Sequence, residues 1–171
     1  MNESTFWELC EKHLARGRGD DEERVERLVA ALEKLPPKEI AAFQRLFDQA
    51  MDRAYRWDLW GAAYVILGGC SDDGFEYFRA WLISRGRSVY EAALAEPESL
   101  AVEIQDDPDW APDLESLLYA AAEAYESATG GDELPESDDA GPAEPVGVMF
   151  DENRVAEAYP RISARLEELG R

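Results

Sequence analysis

The chain is poor in the residues that most chemistry needs. Among its 171 residues there is one histidine, His13, and there are two cysteines, Cys10 and Cys70. Neither cysteine belongs to a C-x-x-C pair, so a disulfide scaffold is excluded and a reducing compartment is expected. A zinc site needs three or four ligands, and the chain offers too few nitrogen and sulfur donors to build one readily. His13 and Cys10 do share a helix face, but the plainer reading is a helix-face histidine at the core's edge. No metal and no cofactor is indicated. Long apolar runs are also missing. The longest, around Leu59 to Gly69, is far short of the roughly 20 residues needed to span a bilayer. The N-terminus is polar and has no apolar core of a signal peptide, so the cytosol is expected. Arginine far outnumbers lysine and alanine is abundant, which points weakly to a bacterium with a high-GC genome. G-x-G-x-x-G, G-K-[ST] and G-x-S-x-G are all absent, so nucleotide-cradling and hydrolase readings lack support.

Basic residues are missing from one region altogether. Net charge is −21. Residues 88–153 hold 19 of the 38 acids and no Lys or Arg. Such a surface repels phosphate backbones and anionic lipid, which disfavours direct nucleic-acid or membrane binding. It suits a protein partner, and a basic one would complement its charge. A solubilising surface with a disordered loop is the simpler alternative, and a mimic of nucleic acid is a third.

What is present is a globular composition, with 46% apolar residues and five Trp, seven Tyr and six Phe. The apolar residues recur at helical spacing. Thr5-x-x-Glu8 fits a capping box opening a first helix with Phe6, Leu9, Cys10, His13 and Leu14 on one stripe, ended by Gly17 and Gly19. A second starts near Asp20 or Asp21 and presents Val25, Leu28, Val29, Leu32 and Leu35. Pro36-Pro37 stops it and pre-sets a third, carrying Ile40, Phe43, Phe47, Ala50 and Met51 to about Tyr55. From Trp57 to Leu67 apolar residues surround the helical wheel, which predicts a buried central helix stopped by Gly68-Gly69. Ser71 caps the next, with Asp72 and Asp73 in its first turn and Phe75, Phe78, Trp81 and Leu82 inward. Ser88-x-x-Glu91 is a further capping box. Asp106 to Asp109 reads as a turn, and Leu114 to Ala128 as another helix. Residues 131–147 are acidic and rich in Pro and Gly, and a disordered loop is expected there. A last helical segment from about Asn153 to Leu169 should be broken or kinked at Pro160.

The expected architecture is therefore an all-α, compact single domain of about seven helices. It comprises a helical core over 1–130, the acidic loop over 131–147 and a C-terminal segment over 148–171 packing on the core.

The residues that could carry function lie between Arg53 and Trp81. Cys70 stands at a helix N-terminus, which lowers a thiol pKa, although Asp72 and Asp73 oppose this; the plain alternative is a small buried hydrophobe. Asp58, Asp72 and Asp73 could do acid–base work, or serve only as cap and helix-dipole partners. Trp57, Trp60, Tyr64, Phe75, Phe78 and Trp81 could line a pocket with Arg53, Arg56 and Arg79 gripping an anion, or could simply be core. The candidate ligand or partner surface is thus Arg53, Trp57, Asp58, Trp60, Cys70, Asp72, Asp73 and Arg79. Two readings follow. The leading one is a non-enzymatic interaction protein using this surface or the acidic 88–153 region. The alternative is a small-molecule binder or enzyme built on Asp58, Cys70, Asp72, Asp73 and Arg79.

The run Arg56-Trp57-Asp58-Leu59-Trp60-Gly61-Ala62-Ala63-Tyr64, continuing through Gly68-Gly69-Cys70-Ser71-Asp72-Asp73-Gly74-Phe75 to Phe78-Arg79-Ala80-Trp81-Leu82, resembles a bacterial family known as domain of unknown function 4240. Phe6-Trp7 and Leu35-Pro36-Pro37 are similar to that family as well, so the likeness covers roughly residues 1–100. It implies a small cytosolic bacterial protein and implies no activity.

Overall fold

The computed structural model describes residues 1–14, 20–107, 109–136 and 141–171. Among them are eight α-helices: α1 (Glu3–Leu14), α2 (Asp21–Leu32), α3 (Pro37–Arg53), α4 (Trp57–Leu67), α5 (Asp72–Ser84), α6 (Arg87–Ala95), α7 (Ala120–Thr129) and α8 (Pro160–Glu168). Three 3-10 segments, Pro97–Glu103, Glu115–Tyr119 and Val155–Ala158, join the later ones. The described residues form no strand, only an isolated bridge between Arg56 and Val146. The chain is all-α, as the periodicity predicts. The described residues form eight α-helices where about seven were expected.

Several boundaries follow directly from local chemistry. The Asp20 side chain accepts from the Glu23 amide and caps α2. The Ser71 hydroxyl accepts from the Gly74 amide and caps α5. Gly68 and Gly130 end α4 and α7 at φ 69° and 79°, a left-handed turn that glycine adopts without steric cost. Pro160 opens α8 at its first turn, where a missing N–H costs nothing, so the C-terminal segment is divided there.

Three expected caps fall elsewhere. Asn2, not Thr5, caps α1, its side-chain oxygen accepting from the Thr5 amide at 2.9 Å. Ser88 lies inside α6; the Arg87 amide at that helix's start donates to Glu11 on α1. Asp58 lies one residue inside α4, held by an ion pair to Arg56, which is the extended residue before the helix. The expected stop at Gly17 and Gly19 lies outside the described residues.

The core is built around α4 and α5. Leu59, Ala62 and Ala63 of α4 are fully buried, as are Phe75, Phe78 and Leu82 of α5. Trp57, Tyr64 and Val65 are only partly buried, so α4 keeps one edge at the surface. α7 packs on α2 and α3, α5 lies among α1, α3, α4 and α6, and α8 closes on α4 and the Pro97–Glu103 segment. One aromatic ladder runs through the molecule. Trp57 stacks on Trp60 (5.0 Å, 7°), Trp60 on Phe75 (4.8 Å, 11°) and Phe75 on Phe78 (6.2 Å, 23°), and the ladder continues through Trp81 to Trp110. Most of the aromatic set singled out in the sequence is therefore core.

The described parts of 131–147 carry no helix or strand. The segment's end is tied down. The Val146 amide donates to the Tyr55 carbonyl and the Trp57 amide to the Val146 carbonyl, both at 2.9 Å. Phe150 then packs on Trp57 and Tyr64. No helix among the described residues is long and apolar enough to cross a membrane.

Candidate functional site

The candidate residues of the sequence are put to separate uses. Asp58 pairs with Arg56, which also donates to the Leu94 carbonyl at 2.9 Å. Arg53 pairs with Glu91 at 3.1 Å and lies over the Tyr90 ring. Trp60 stacks inside the ladder and its indole N–H donates to the Cys70 carbonyl at 3.0 Å. Asp72 and Asp73 stand in the first turn of α5, on the positive end of its dipole. Arg79, of these eight, lines an open cavity between α3 and α5.

Cys70 is half-buried, and its thiol is pushed up to about 11. Burial is the largest cause; Asp72 adds to it, and the nearby Trp60 N–H opposes it. At neutral pH the nucleophilic thiolate is therefore scarce. Iodoacetamide at pH 7 should modify folded Cys70 at least about tenfold more slowly than the same thiol in the unfolded chain. Equal rates, read by mass spectrometry, would show an open and activated thiol instead. Cys10 is fully buried and burial raises its thiol further still. His13, three residues on, is partly exposed and is held below its ordinary value by burial and then by Lys12, Arg27 and Lys34. Among the described residues no group of three or more His, Cys, Asp or Glu side chains could hold a metal.

The open space lies between α3, α5 and the chain leading into α7. It is a cavity of about 480 Å³ with Phe47 and Met51 of α3, Tyr55 and Leu118 as its apolar part. Arg79 enters from α5. Its guanidinium donates to the Met51 carbonyl at 3.0 Å and to the Phe75 carbonyl at 3.4 Å, and lies 4.7 Å from the Tyr55 ring centre and 5.2 Å from that of Phe75. Those contacts fix its orientation. Burial lowers its pKa, while the charges of Glu76, Tyr55 and Asp52 act in the other direction. No carboxylate of a described residue forms an ion pair with it. Asp48, Asp52 and Glu76 line the same cavity. Asp48 is half-buried and accepts from the Gln44 side-chain amide at 2.8 Å. Its carboxyl lies above the usual range, because burial and the charge of Asp52 outweigh that hydrogen bond.

Gln44, Asp48 and Leu118 also line a second groove of about 560 Å³ that continues along α7. Its floor includes Ala122, Leu134 and Pro135, and its rim carries Glu126, Glu133 and Glu136. None of those three glutamates has an ion-pair partner among the described residues. Sequence reasoning missed Gln44, Asp48, Glu76 and Tyr119. They come from three distant elements, and nothing in the linear order brings them together.

Residues 1–127 match the family described as protein of unknown function (DUF4240). The chain belongs to the DUF4240 family. The match spans α1 to most of α7, and so includes every lining residue of the Arg79 cavity except Gly141 and Pro142, and one wall of the neighbouring groove. The acidic residues Glu133 and Glu136 and the C-terminal α8 lie beyond it. No curated protein and no solved structure matches the chain.

Proposed function

We propose that this DUF4240 protein is a non-enzymatic interaction module that receives a basic segment of a protein partner in the cytosol. The observation that carries the reading is the groove along α7. Its floor is apolar, at Leu118, Ala122, Leu134 and Pro135, and its rim is lined by Asp48, Glu126, Glu133 and Glu136. A segment that alternates apolar residues with Lys or Arg satisfies both parts. Its aliphatic stems cover the floor while its charged heads meet the rim. A nucleic acid would meet only repulsion there.

Electrostatic complementarity of this kind mainly sets specificity and association rate, and salt screens it. The test is affinity capture from the native cell with the wild-type chain and with the triple reversal Glu126→Lys, Glu133→Lys, Glu136→Lys. Each exposed carboxylate contributes about 0.5–1 kcal/mol, so the triple variant should bind roughly ten- to a hundredfold more weakly. Wild-type capture should fall as salt rises. A partner retained equally by both chains, or held independently of salt, would overturn the reading.

A further inference from the structure

We propose that the cavity at Arg79 binds a small zwitterion, a molecule bearing one carboxylate and one ammonium on a short apolar body, as free amino acids and dipeptides do. The space, about 480 Å³, lies within the roughly 300–1,000 Å³ of small-molecule sites. Its lining has three chemically distinct parts, and each selects one part of such a ligand.

Arg79 selects the carboxylate. Its guanidinium is already oriented by the Tyr55 and Phe75 rings and by two backbone carbonyls, and it lacks an ion-pair partner among the described residues. A planar guanidinium fixed in this way is suited to two parallel hydrogen bonds to a carboxylate. Carboxylates line the same cavity, but none of the described ones forms an ion pair with Arg79, whose hydrogen bonds go to backbone carbonyls. Asp48 and Glu76 select the ammonium. Asp48 uses one carboxylate oxygen for Gln44, which leaves the other for a donor. Its carboxyl is already disfavoured as an anion by burial and by Asp52, so an incoming cation would stabilise it. Phe47, Met51 and Leu118 select the apolar body.

The same lining argues against simpler ligands. A plain anion would satisfy Arg79 but sit among three carboxylates. A plain cation would satisfy Asp48 and Glu76 but face the guanidinium. Only a molecule carrying both charges meets both ends without repulsion. The site shares Asp48 and Leu118 with the docking groove, but Arg79 and Glu76 belong to it alone, as Glu126, Glu133 and Glu136 belong to the groove.

The test uses the full chain and, as probes, the free L-amino acids and a set of simple dipeptides at millimolar concentration. Thermal stabilisation comes first and titration calorimetry second. At least one probe should bind saturably. Its N-acetyl form, which keeps only the carboxylate, and its methyl ester, which keeps only the ammonium, should each bind at least about tenfold more weakly, the order expected when one charged hydrogen-bonding partner is lost. Arg79→Gln should weaken the probe by a similar factor. The triple glutamate reversal should leave its affinity within about twofold, since those residues do not line the cavity. Arg79 also braces Met51 and Phe75, so Arg79→Gln could unfold the chain. Asp48→Asn and Glu76→Gln then decide the matter, because both lie nearer solvent and should weaken the zwitterion while sparing its N-acetyl form. Failure of every probe to bind saturably would overturn the proposal. So would equal binding of the N-acetyl or ester forms, or affinity unchanged in all three variants.

Discussion

Replacing Phe75 by alanine should destabilise the protein by about 3–5 kcal/mol, the range for truncating a fully buried phenylalanine. Phe75 is completely inaccessible. It is the point where the aromatic ladder branches, with Trp60 at 4.8 Å on one side, Phe78 at 6.2 Å on another and Tyr55 at 6.2 Å on a third. Alanine removes all three ring contacts and leaves a cavity that neighbours from α4, α5 and the link between α3 and α4 cannot easily close. For a chain of this size the midpoint of thermal unfolding should fall by on the order of 10 °C. Phe75→Leu separates volume from aromaticity. It keeps most of the bulk and should cost only about 1–2 kcal/mol, largely from the lost ring contacts and the lost face under Arg79. Val148→Ala, at a side chain 89% exposed, should change stability by less than about 0.5 kcal/mol. Chemical unfolding of the three variants is sufficient to check this ordering. A Phe75→Ala cost near 1 kcal/mol would mean that the ladder is not a packed core.

The Arg79 site depends on that ladder. Phe75 and Arg79 are four residues apart on α5, so one helix face supplies both the core anchor and the side chain that enters the cavity. Phe75→Leu should therefore weaken a zwitterionic probe more than its modest stability cost suggests, because the guanidinium loses one of the surfaces that orient it.

The pattern of what the sequence foretold has a physical cause. At three helix ends decided by residues within a turn, the reading succeeded: Asp20, Ser71 and Gly68 cap or stop their helices through contacts reaching four residues or fewer. Where a distant partner competes, it failed. Ser88 has suitable spacing for a cap, but Glu11, 76 positions away, accepts from the Arg87 amide at the start of α6. Two failures are local instead: Arg56, two residues away, claims Asp58, and Asn2 rather than Thr5 caps α1. The candidate site shows the same division. The aromatic periodicity revealed that α4 and α5 pack, and Arg79 was singled out with them. It could not reveal which neighbours Arg79 would meet, because Asp48 is fixed by α3 and Leu118 and Tyr119 by the 3-10 turn before α7. The cluster imagined around Cys70 dissolved for a related reason. Asp58 turns toward Arg56 at the start of α4, while Arg79 turns toward Met51 near the end of α3.

Gly61→Val should destabilise the chain by about 2–4 kcal/mol, although valine is the better helix former by a few tenths of a kcal/mol. The reason is one side chain. A Cβ at Gly61 would lie 2.6 Å from the Tyr159 hydroxyl and 3.0 Å from its ring, and Tyr159 supplies all three nearest atoms. Tyr159 is buried, and its hydroxyl donates to the Asp58 carbonyl at 2.5 Å. Displacing it breaks that hydrogen bond, worth about 1 kcal/mol, and lifts the start of α8 from α4. Tyr159→Ala should itself be costly, yet in that background Gly61→Val should cost little, since the obstruction is gone. The coupling between the two substitutions, from denaturant unfolding of the single and double variants, should thus approach the full cost of Gly61→Val. A purely additive result would place the clash elsewhere. The hydroxyl gives an independent check. Burial, with the charges of Asp58 and Glu98, pushes Tyr159 up to about 12, above its ordinary value near 10. A raised pKa means that the folded state holds the proton more tightly than the unfolded chain. Its stabilisation is therefore complete below pH 10 and is lost as pH rises toward 12. Tyr159→Phe should flatten this part of the alkaline stability curve. An unchanged curve would show that the hydroxyl is not buried in this way.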